Sequence, residues 1–308
     1  MTDTPQVSVV MSVYNGADKL NASIESIMSQ GGVDFEFIIV NDGSTDASAS
    51  MLEGIAAKDA RIRLLHQVNR GLTKALIKGC ALARGKYIAR QDCGDRSLPE
   101  RLCTQVGVME SRPGTALVSS GMRMVGPQGE PLYEVVQSEK DASEGLFAQE
   151  LEHLRGPAHH GSTMFRRDLY ERAGGYREQF YFAQDLDLWT RMAEHGQHVA
   201  IAEILYQAEF TIGSISSVQR TLQMECTKII LECTRLRRKG CGDTQTASKA
   251  SRIIPDGRKT KPSSLASAYY FVGACLSKRG DPRARRYYLE ALRANPLHLR
   301  SAMRLLFG

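Results

Sequence analysis

No stretch near the start of this 308-residue chain stays apolar for long: the run Val7 to Val13 is far shorter than the roughly 20 residues a membrane-spanning helix needs. The first residues, MTDTPQ, carry an acid where an export signal needs basic residues. These two absences make the cytoplasm the expected location. Seven cysteines, an odd number, lie at spacings that match neither a disulfide framework nor a zinc site, so they read as reduced thiols, mostly small core residues. After the first strand the sequence is Tyr14-Asn15-Gly16-Ala17-Asp18 rather than Gly-x-Gly-x-x-Gly, which disfavours an NAD-dependent dehydrogenase. A nucleophile motif ahead of a helix is also missing, which disfavours a hydrolase.

Positive charge is scarce over most of the chain. The net charge of +6 comes from 40 Lys and Arg against 34 Asp and Glu, but 17 of those basic residues and only 4 of the acidic ones follow Thr234. The tail therefore carries +13 and the first 234 residues carry −7. A tail of this kind suits an anionic surface, and peripheral contact with the inner face of a membrane is expected. No recognition helix, zinc finger or aromatic nucleic-acid motif accompanies the charge, so nucleic acid is not an expected partner.

The first half alternates short β-branched runs with helical-period segments, the pattern of βα units on a parallel sheet. Strands are expected at Val7–Val13, Phe35–Val40, Ile62–His66, Lys86–Arg90 and Ala116–Ser120. Val7–Val13 is too continuously apolar for a half-exposed strand and should be covered on both faces. Helices are expected between the strands, with Gly85 ending the one that starts at Thr73 and Asp46 capping the one before Lys58. Ligands of such sheets bind at the C-terminal strand ends. Those ends carry Tyr14-Asn15-Gly16, Asn41-Asp42-Gly43-Ser44, Asn69-Arg70-Gly71 and Gln91-Asp92-Cys93-Gly94-Asp95.

The strings VSVVMSVYNG, FEFIIVNDGSTDAS, NRGLTKALIKGCALARGKYIARQDCGDRSLPERL and AQDLDLWTRM, spread over residues 6 to 210, resemble the family 2 glycosyltransferases of the GT-A fold in order and spacing. The resemblance implies an α/β, Rossmann-like and mostly parallel sheet flanked by helices. It also implies inverting transfer of a sugar from a nucleotide diphosphate donor to a carbohydrate or lipid-linked glycan, in cell-surface or extracellular polysaccharide synthesis. Asp42 matches the aspartate that meets the nucleobase, where an acceptor-only carboxylate suits an imide N–H. Tyr14, Asn15, Asn69, Arg70 and Asp92 fall on the donor side. Asp92 and Asp95 stand in the acidic motif that holds a divalent cation, Mn²⁺ or Mg²⁺, on the diphosphate, but its usual central aspartate is Gly94 here. Arg90, Arg96 or Arg101 is a further source of charge, the plainer reading of Arg101 being a helix-surface salt bridge.

The second acidic motif makes Asp185 the expected catalytic base, with Asp187 as a cap or as the partner of Arg191 and Trp189 in the core. Gly175, Tyr176 and Gln184 fall on the acceptor or sugar side, and His159 and His160 in an acceptor-side loop. Gly94 keeps a rival open, a catalytically impaired nucleotide-sugar-binding or scaffolding subunit.

Three segments are expected: a catalytic domain over 1–215, a basic helix and flexible linker over 216–263, and a helical extension over 264–308 similar to one tetratricopeptide repeat. A single repeat cannot bury its own core. It should dock on the catalytic domain or on another subunit, which makes a homo-oligomer one expectation.

Overall fold

The computed structural model describes residues 4–213, 219–255 and 261–307. Strands β1 (Val7–Val13), β2 (Phe35–Asp42), β3 (Ile62–Gln67) and β4 (Tyr87–Asp92) alternate with helices α1 (Leu20–Met28), α2 (Ser48–Ala56) and α3 (Leu72–Ala81). They are followed by β5 (Arg96–Ser97), α4 (Arg101–Ser111), β6 (Thr115–Val125), β7 (Pro131–Val135), α5 (Glu139–Gly145), β8 (Thr163–Arg166), α6 (Arg167–Arg172), α7 (Gln184–Met192) and β9 (Gln197–Glu209). The strands lie in the order β3-β2-β1-β4-β8-β6-β9-β5, with β7 paired to β6. The first four are parallel, and β8 runs antiparallel to both β4 and β6.

Alternation along β1 explains why its run is continuously apolar. Val7, Val9, Met11 and Val13 enter one core with Leu20, Ile24 and Ile27 of α1 and Leu102, Val106 and Met109 of α4. Val10 enters a second core with Leu76 and Cys80 of α3 and with Leu188 and Trp189 of α7. The sheet thus has helices on both faces, the α/β arrangement expected from the sequence.

Two local readings change. Helix α3 ends at Ala81, before Gly85, and Gly85 serves a close approach instead: a Cβ there would stand 2.6 Å from the Ser8 nitrogen. Arg101 is a fully buried residue with no place in a surface salt bridge; its guanidinium donates to Ser97 Oγ (2.7 Å) and to the carbonyls of Arg90 (2.8 Å) and Thr163 (3.2 Å).

The chain forms two compact units, one of Met1–Met122, Val135–Ala208 and Glu225–Ile253, the other of Arg123–Glu134, Glu209–Met224 and Ile254–Gly308. The part of α8 (Arg220–Arg238) from Glu225 on belongs to the first unit and buries Cys226, Ile230 and Cys233 there. Its last three arginines are engaged: Arg235 donates to the Gln149 carbonyl (3.1 Å), Arg237 to Glu194 (2.8 Å) and Asp243 (2.6 Å), and Arg238 to the Phe147 carbonyl (2.6 Å). The Ser- and Thr-rich stretch that reads as a linker contains a short helix α9 (Thr244–Ser248) and a 3-10 turn (Lys249–Arg252). Asp243 just before them accepts from both Arg177 and Arg237, which ties that stretch down. The rest of the expected linker includes 256–260, outside the described residues, as are 214–218.

In the second unit α10 (Pro262–Ser277), α11 (Ala284–Ala294) and α12 (Leu299–Phe307) pack successively. Val272, Leu276, Ala284, Tyr287 and Tyr288 close a core over Leu132 of the β6–β7 hairpin. The Tyr287 hydroxyl donates to the buried Glu130 carboxylate (2.6 Å), and Arg279 Nε to the Leu132 carbonyl (3.1 Å).

Candidate active site

The parallel strands β1, β2 and β4 end side by side, and their loops are knitted together. Asn15, in a left-handed conformation (φ 50°), donates its N–H to Ser44 Oγ (3.0 Å) and accepts the Thr45 N–H on Oδ1 (2.7 Å). Asp46 bridges the same two loops, taking the N–H of Ala17 (3.1 Å) and that of Ser48 (3.0 Å) in the first turn of α2. The side chain of Tyr14 stands out from this edge, 53% exposed. Asp42 is buried at the end of β2. Its Oδ1 accepts from Gln67 Nε2 (2.6 Å) and the Arg70 N–H (2.9 Å), its Oδ2 from the Gly71 N–H (2.8 Å). In this state the carboxylate holds the Asn69–Gly71 loop, while Asn69 and Arg70 lie at the surface.

Asp92 and Asp95 are joined by a tight turn in which the Asp95 N–H donates to the Asp92 carbonyl (3.2 Å). Gly94 takes φ 101° in it, a backbone that side chains with a Cβ rarely adopt. The glycine that interrupts the acidic motif is therefore built into the turn that presents both carboxylates. The loop before β8 adds a third group. Because β8 runs antiparallel to β4, with Ala89 opposite Met164, the residues preceding β8 lie beside the C-terminal end of β4. His159 Nδ1 is there 3.7 Å from Asp95 Oδ2 and 3.9 Å from Asp92 Oδ2.

One ligand atom from each of Asp92, Asp95 and His159 falls within 4.8 Å of the others, close enough to share a cation. Two carboxylate oxygens suit a hard divalent cation such as Mn²⁺ or Mg²⁺, and Mn²⁺ also accepts an imidazole nitrogen. His159 is the residue that sequence spacing missed. It lies far from the acidic motif along the chain, and without partner cysteines the His159-His160 pair carries no metal signature of its own.

Behind this cluster the support is polar and buried. Tyr206 of β9 donates its hydroxyl to Asp95 Oδ2 (2.9 Å), accepts the Asp92 N–H (3.2 Å), and stacks on His159 with ring centroids 5.3 Å apart. A Cβ on Gly161 would fall 1.8 Å from that hydroxyl, so only glycine leaves it room. Arg90, fully buried in β4, donates to Asp92 Oδ1 (2.7 Å) and to the Val10 carbonyl. Burial alone would raise the Asp92 carboxyl, but the Arg90 guanidinium beside it holds it below its usual value. Arg101, its pKa brought down to about 10 by burial, sits over the Tyr206 ring at 5.1 Å and stays cationic. Arg96 is exposed on β5. His160 is pushed down to about 3 by burial and by Arg90, so it is neutral; its Nε2 lies 3.3 Å from Arg90 Nε and 2.6 Å from the Tyr176 hydroxyl. Tyr176 is itself buried and stands behind His160, with no exposed ring to offer a sugar.

The other acidic residue comes from α7. Its first turn is preceded by Ala183 at φ 54°, a left-handed conformation that costs a residue with a Cβ roughly 1–2 kcal/mol, and strain of this kind gathers at functional sites. Gln184 is buried and Asp185 half-buried. Asp185 Oδ1 accepts the N–H of the adjacent Leu186 (2.8 Å), and burial, reinforced by the charge of Asp92, raises its carboxyl above the usual range. Asp187 has a different task, as expected: buried, it pairs with Arg191 (2.7 Å) one turn on and with Arg177. Trp189 is core. Gly175 (φ 66°) packs against the Tyr170 ring and leads into Tyr176. The described cysteines are all free thiols, as expected.

Residues 8–174 match the family model Glycosyl transferase family 2. Bacillus subtilis (strain 168) has a protein named Putative glycosyltransferase EpsE that is 31% identical over 243 residues, 77% of this chain and 85% of the relative. Among solved structures, the mannosyltransferase PcManGT of Pyrobaculum calidifontis, in complex with GDP-Man and Mn²⁺, superposes with a TM-score of 0.57 at 17% identity, covering 99% of this chain and 88% of that one. The S. aureus TarS fragment in complex with UDP-GlcNAc gives a TM-score of 0.57 at 15% identity, with 92% and 83% covered.

Proposed function

Because the chain belongs to glycosyl transferase family 2 and is a glycosyltransferase, we propose that it moves a sugar by inversion from a nucleotide diphosphate donor to an acceptor hydroxyl. The acceptor is a carbohydrate or lipid-linked glycan, and the product a cell-surface or extracellular polysaccharide made at the cytoplasmic face of a membrane. The observation that carries this reading is the pairing of two unlike acidic sites. Asp92, Asp95 and His159 form a cluster suited to a cation, and Asp185, its carboxyl raised by burial and by Asp92, stands within electrostatic reach of it.

Asp185 takes the proton of the acceptor hydroxyl as that oxygen bonds to C1 of the sugar and the nucleoside diphosphate leaves from the opposite face. A raised pKa makes a carboxylate a better base at neutral pH. Asp92, Asp95 and His159 would hold Mn²⁺ or Mg²⁺, which when bound supplies positive charge against the diphosphate. Tyr14, Asn15, Asp42, Asn69 and Arg70 would meet the donor nucleotide, Asp42 through the lone pair its internal bonds leave over. Gln184 and Gly175 would shape the sugar side, and Tyr176 would act there through His160. The GDP-Man and UDP-GlcNAc held by the two structural neighbours support a nucleotide-sugar donor.

Thermal melting in the presence of UDP-, GDP- and TDP-sugars, each with and without Mn²⁺, tests this. A ligand at about 100 times its Kd stabilises the native state by about 2.7 kcal/mol, a readily measured rise. One donor series should raise the melting temperature, more so with Mn²⁺. A flat response to every nucleotide sugar would remove the donor assignment, and a metal-indifferent response would remove the cation.

A further inference from the structure

We propose that α12 is an interfacial helix that lays an apolar stripe into the headgroup layer of an anionic lipid bilayer. This takes up the membrane contact of the reading above but stands on a different part of the molecule and does not depend on the transfer chemistry.

Leu299, Met303, Leu306 and Phe307 are between 61% and 84% exposed. At 3.6 residues per turn these four fall on one stripe about 100° wide. Arg300 and Arg304, both exposed, run along one border of it. The opposite face docks on the unit's own core, with Ser301 buried and Leu305 packed against it. Leu297, 83% exposed, continues the apolar surface ahead of the helix. A contiguous patch of this kind needs a partner, whereas single exposed apolar side chains do not.

Charge selects the occupant. Residues 261–307 hold 9 Lys and Arg against 2 Asp and Glu, a net +7. A second copy of this surface would bring the same charge against it. Nucleic acid would meet the arginines but leave an aliphatic stripe facing water. An acidic bilayer accepts both, taking the stripe among its acyl chains and the arginines among its phosphates. A cleft of about 350 Å³ beside the helix is lined by Ser277, Arg285, Tyr288 and Arg304. Among the described residues the buried Tyr288 hydroxyl has no hydrogen-bond partner, and that cleft gives a headgroup phosphate a place next to Arg304. The last three arginines of the basic helix α8 are already bound to Gln149, Glu194, Asp243 and Phe147.

Flotation of the full chain with vesicles tests the assignment. Binding to phosphatidylcholine vesicles rich in phosphatidylglycerol should be at least about tenfold tighter than to phosphatidylcholine alone, and should weaken with salt. The double variant Leu306→Glu, Phe307→Glu should lose at least about tenfold, and Arg300→Ala with Arg304→Ala a similar factor together with most of the salt dependence. All these side chains are exposed, so circular dichroism and the donor-induced melting shift should stay at wild-type levels. That control separates failure of the membrane contact from failure of the transfer reading. Binding indifferent to lipid charge, or unchanged in both variants, would overturn the proposal. So would concentration-dependent self-association that the Leu306/Phe307 variant abolishes, which would make the stripe a contact between copies.

Discussion

Tyr206→Phe removes one oxygen from the floor of the candidate cation site and leaves the ring in place. That oxygen makes two bonds, a charge-assisted donation to Asp95 Oδ2 at 2.9 Å and acceptance of the Asp92 N–H at 3.2 Å. Losing the first forfeits about 1.5–3 kcal/mol, and the buried N–H left without an acceptor costs about 1–3 kcal/mol. The two share one atom and do not simply add, so a loss of about 2–3 kcal/mol is expected. For a unit of this size that lowers the melting temperature by about 5–10 °C. The stacking with His159 and the contact with Arg101 survive, which keeps the variant folded. Asp95 then loses the bond that aims its carboxylate, and outer-shell partners of ligands are typically worth about 10- to 100-fold in metal affinity. Calorimetry without metal and a Mn²⁺ titration followed by melting read the two effects separately. A variant that melts within 1 °C of wild type would show that the hydroxyl does not carry the site. Loss of stability with an unchanged Mn²⁺ midpoint would show that Asp95 is not a ligand.

Asp185→Asn should lower turnover by about 100-fold or more with donor binding retained, because a positioned base is worth that factor in the transition state only. In the wild type the rate should fall as the pH drops through the raised pKa of Asp185, placing the acid limb above the ordinary carboxylate range. The same shift has a thermodynamic sign: a carboxyl whose pKa is higher folded than unfolded loses stability as it ionises, so the neutral Asn should melt no lower than wild type at pH 7. A clearly lower melting temperature would contradict this. Gly94→Asp, which restores the more usual acidic motif, should cost about 1–2 kcal/mol because residue 94 needs φ 101°, and it should not tighten Mn²⁺ binding. Tighter binding at unchanged stability would mean that the turn relaxes around a side chain.

The parallel half of the sheet was legible because each strand there is built on a short, mostly apolar run, followed by a polar loop and then a helical period. The antiparallel half was legible only at Ala116–Ser120, which lies within β6. Strand β9, QHVAIAEILYQAE, mixes buried and exposed positions without a steady period of two, and it supplies Tyr206. His159 was visible only as one of a pair, since what makes it a neighbour of Asp92 is the register of β8 on β4. Arg90 reads as a further source of charge at a strand end, and Arg101 as a helix-surface salt bridge. They are buried because carbonyls, hydroxyls and Asp92 meet most of their N–H groups, a circumstance that exists only after folding. The excess of charge in the tail is plain in the sequence, which does not show that the last three arginines of α8 are engaged while those of α12 border an apolar stripe.

The smaller unit is stitched from three separated pieces of chain, and this sets a timetable for its birth. The hydroxyl that closes on Glu130 belongs to a residue 157 positions further on. At about 5–20 residues per second, the hairpin bearing Glu130 and Leu132 leaves the ribosome roughly 8–30 s before the helices that cover it. During that interval it shows an unpaired edge and a bare apolar face to whatever is near. A nascent chain of this protein is therefore at its stickiest well before it is finished, and slowed translation beyond the hairpin would lengthen its need for a chaperone.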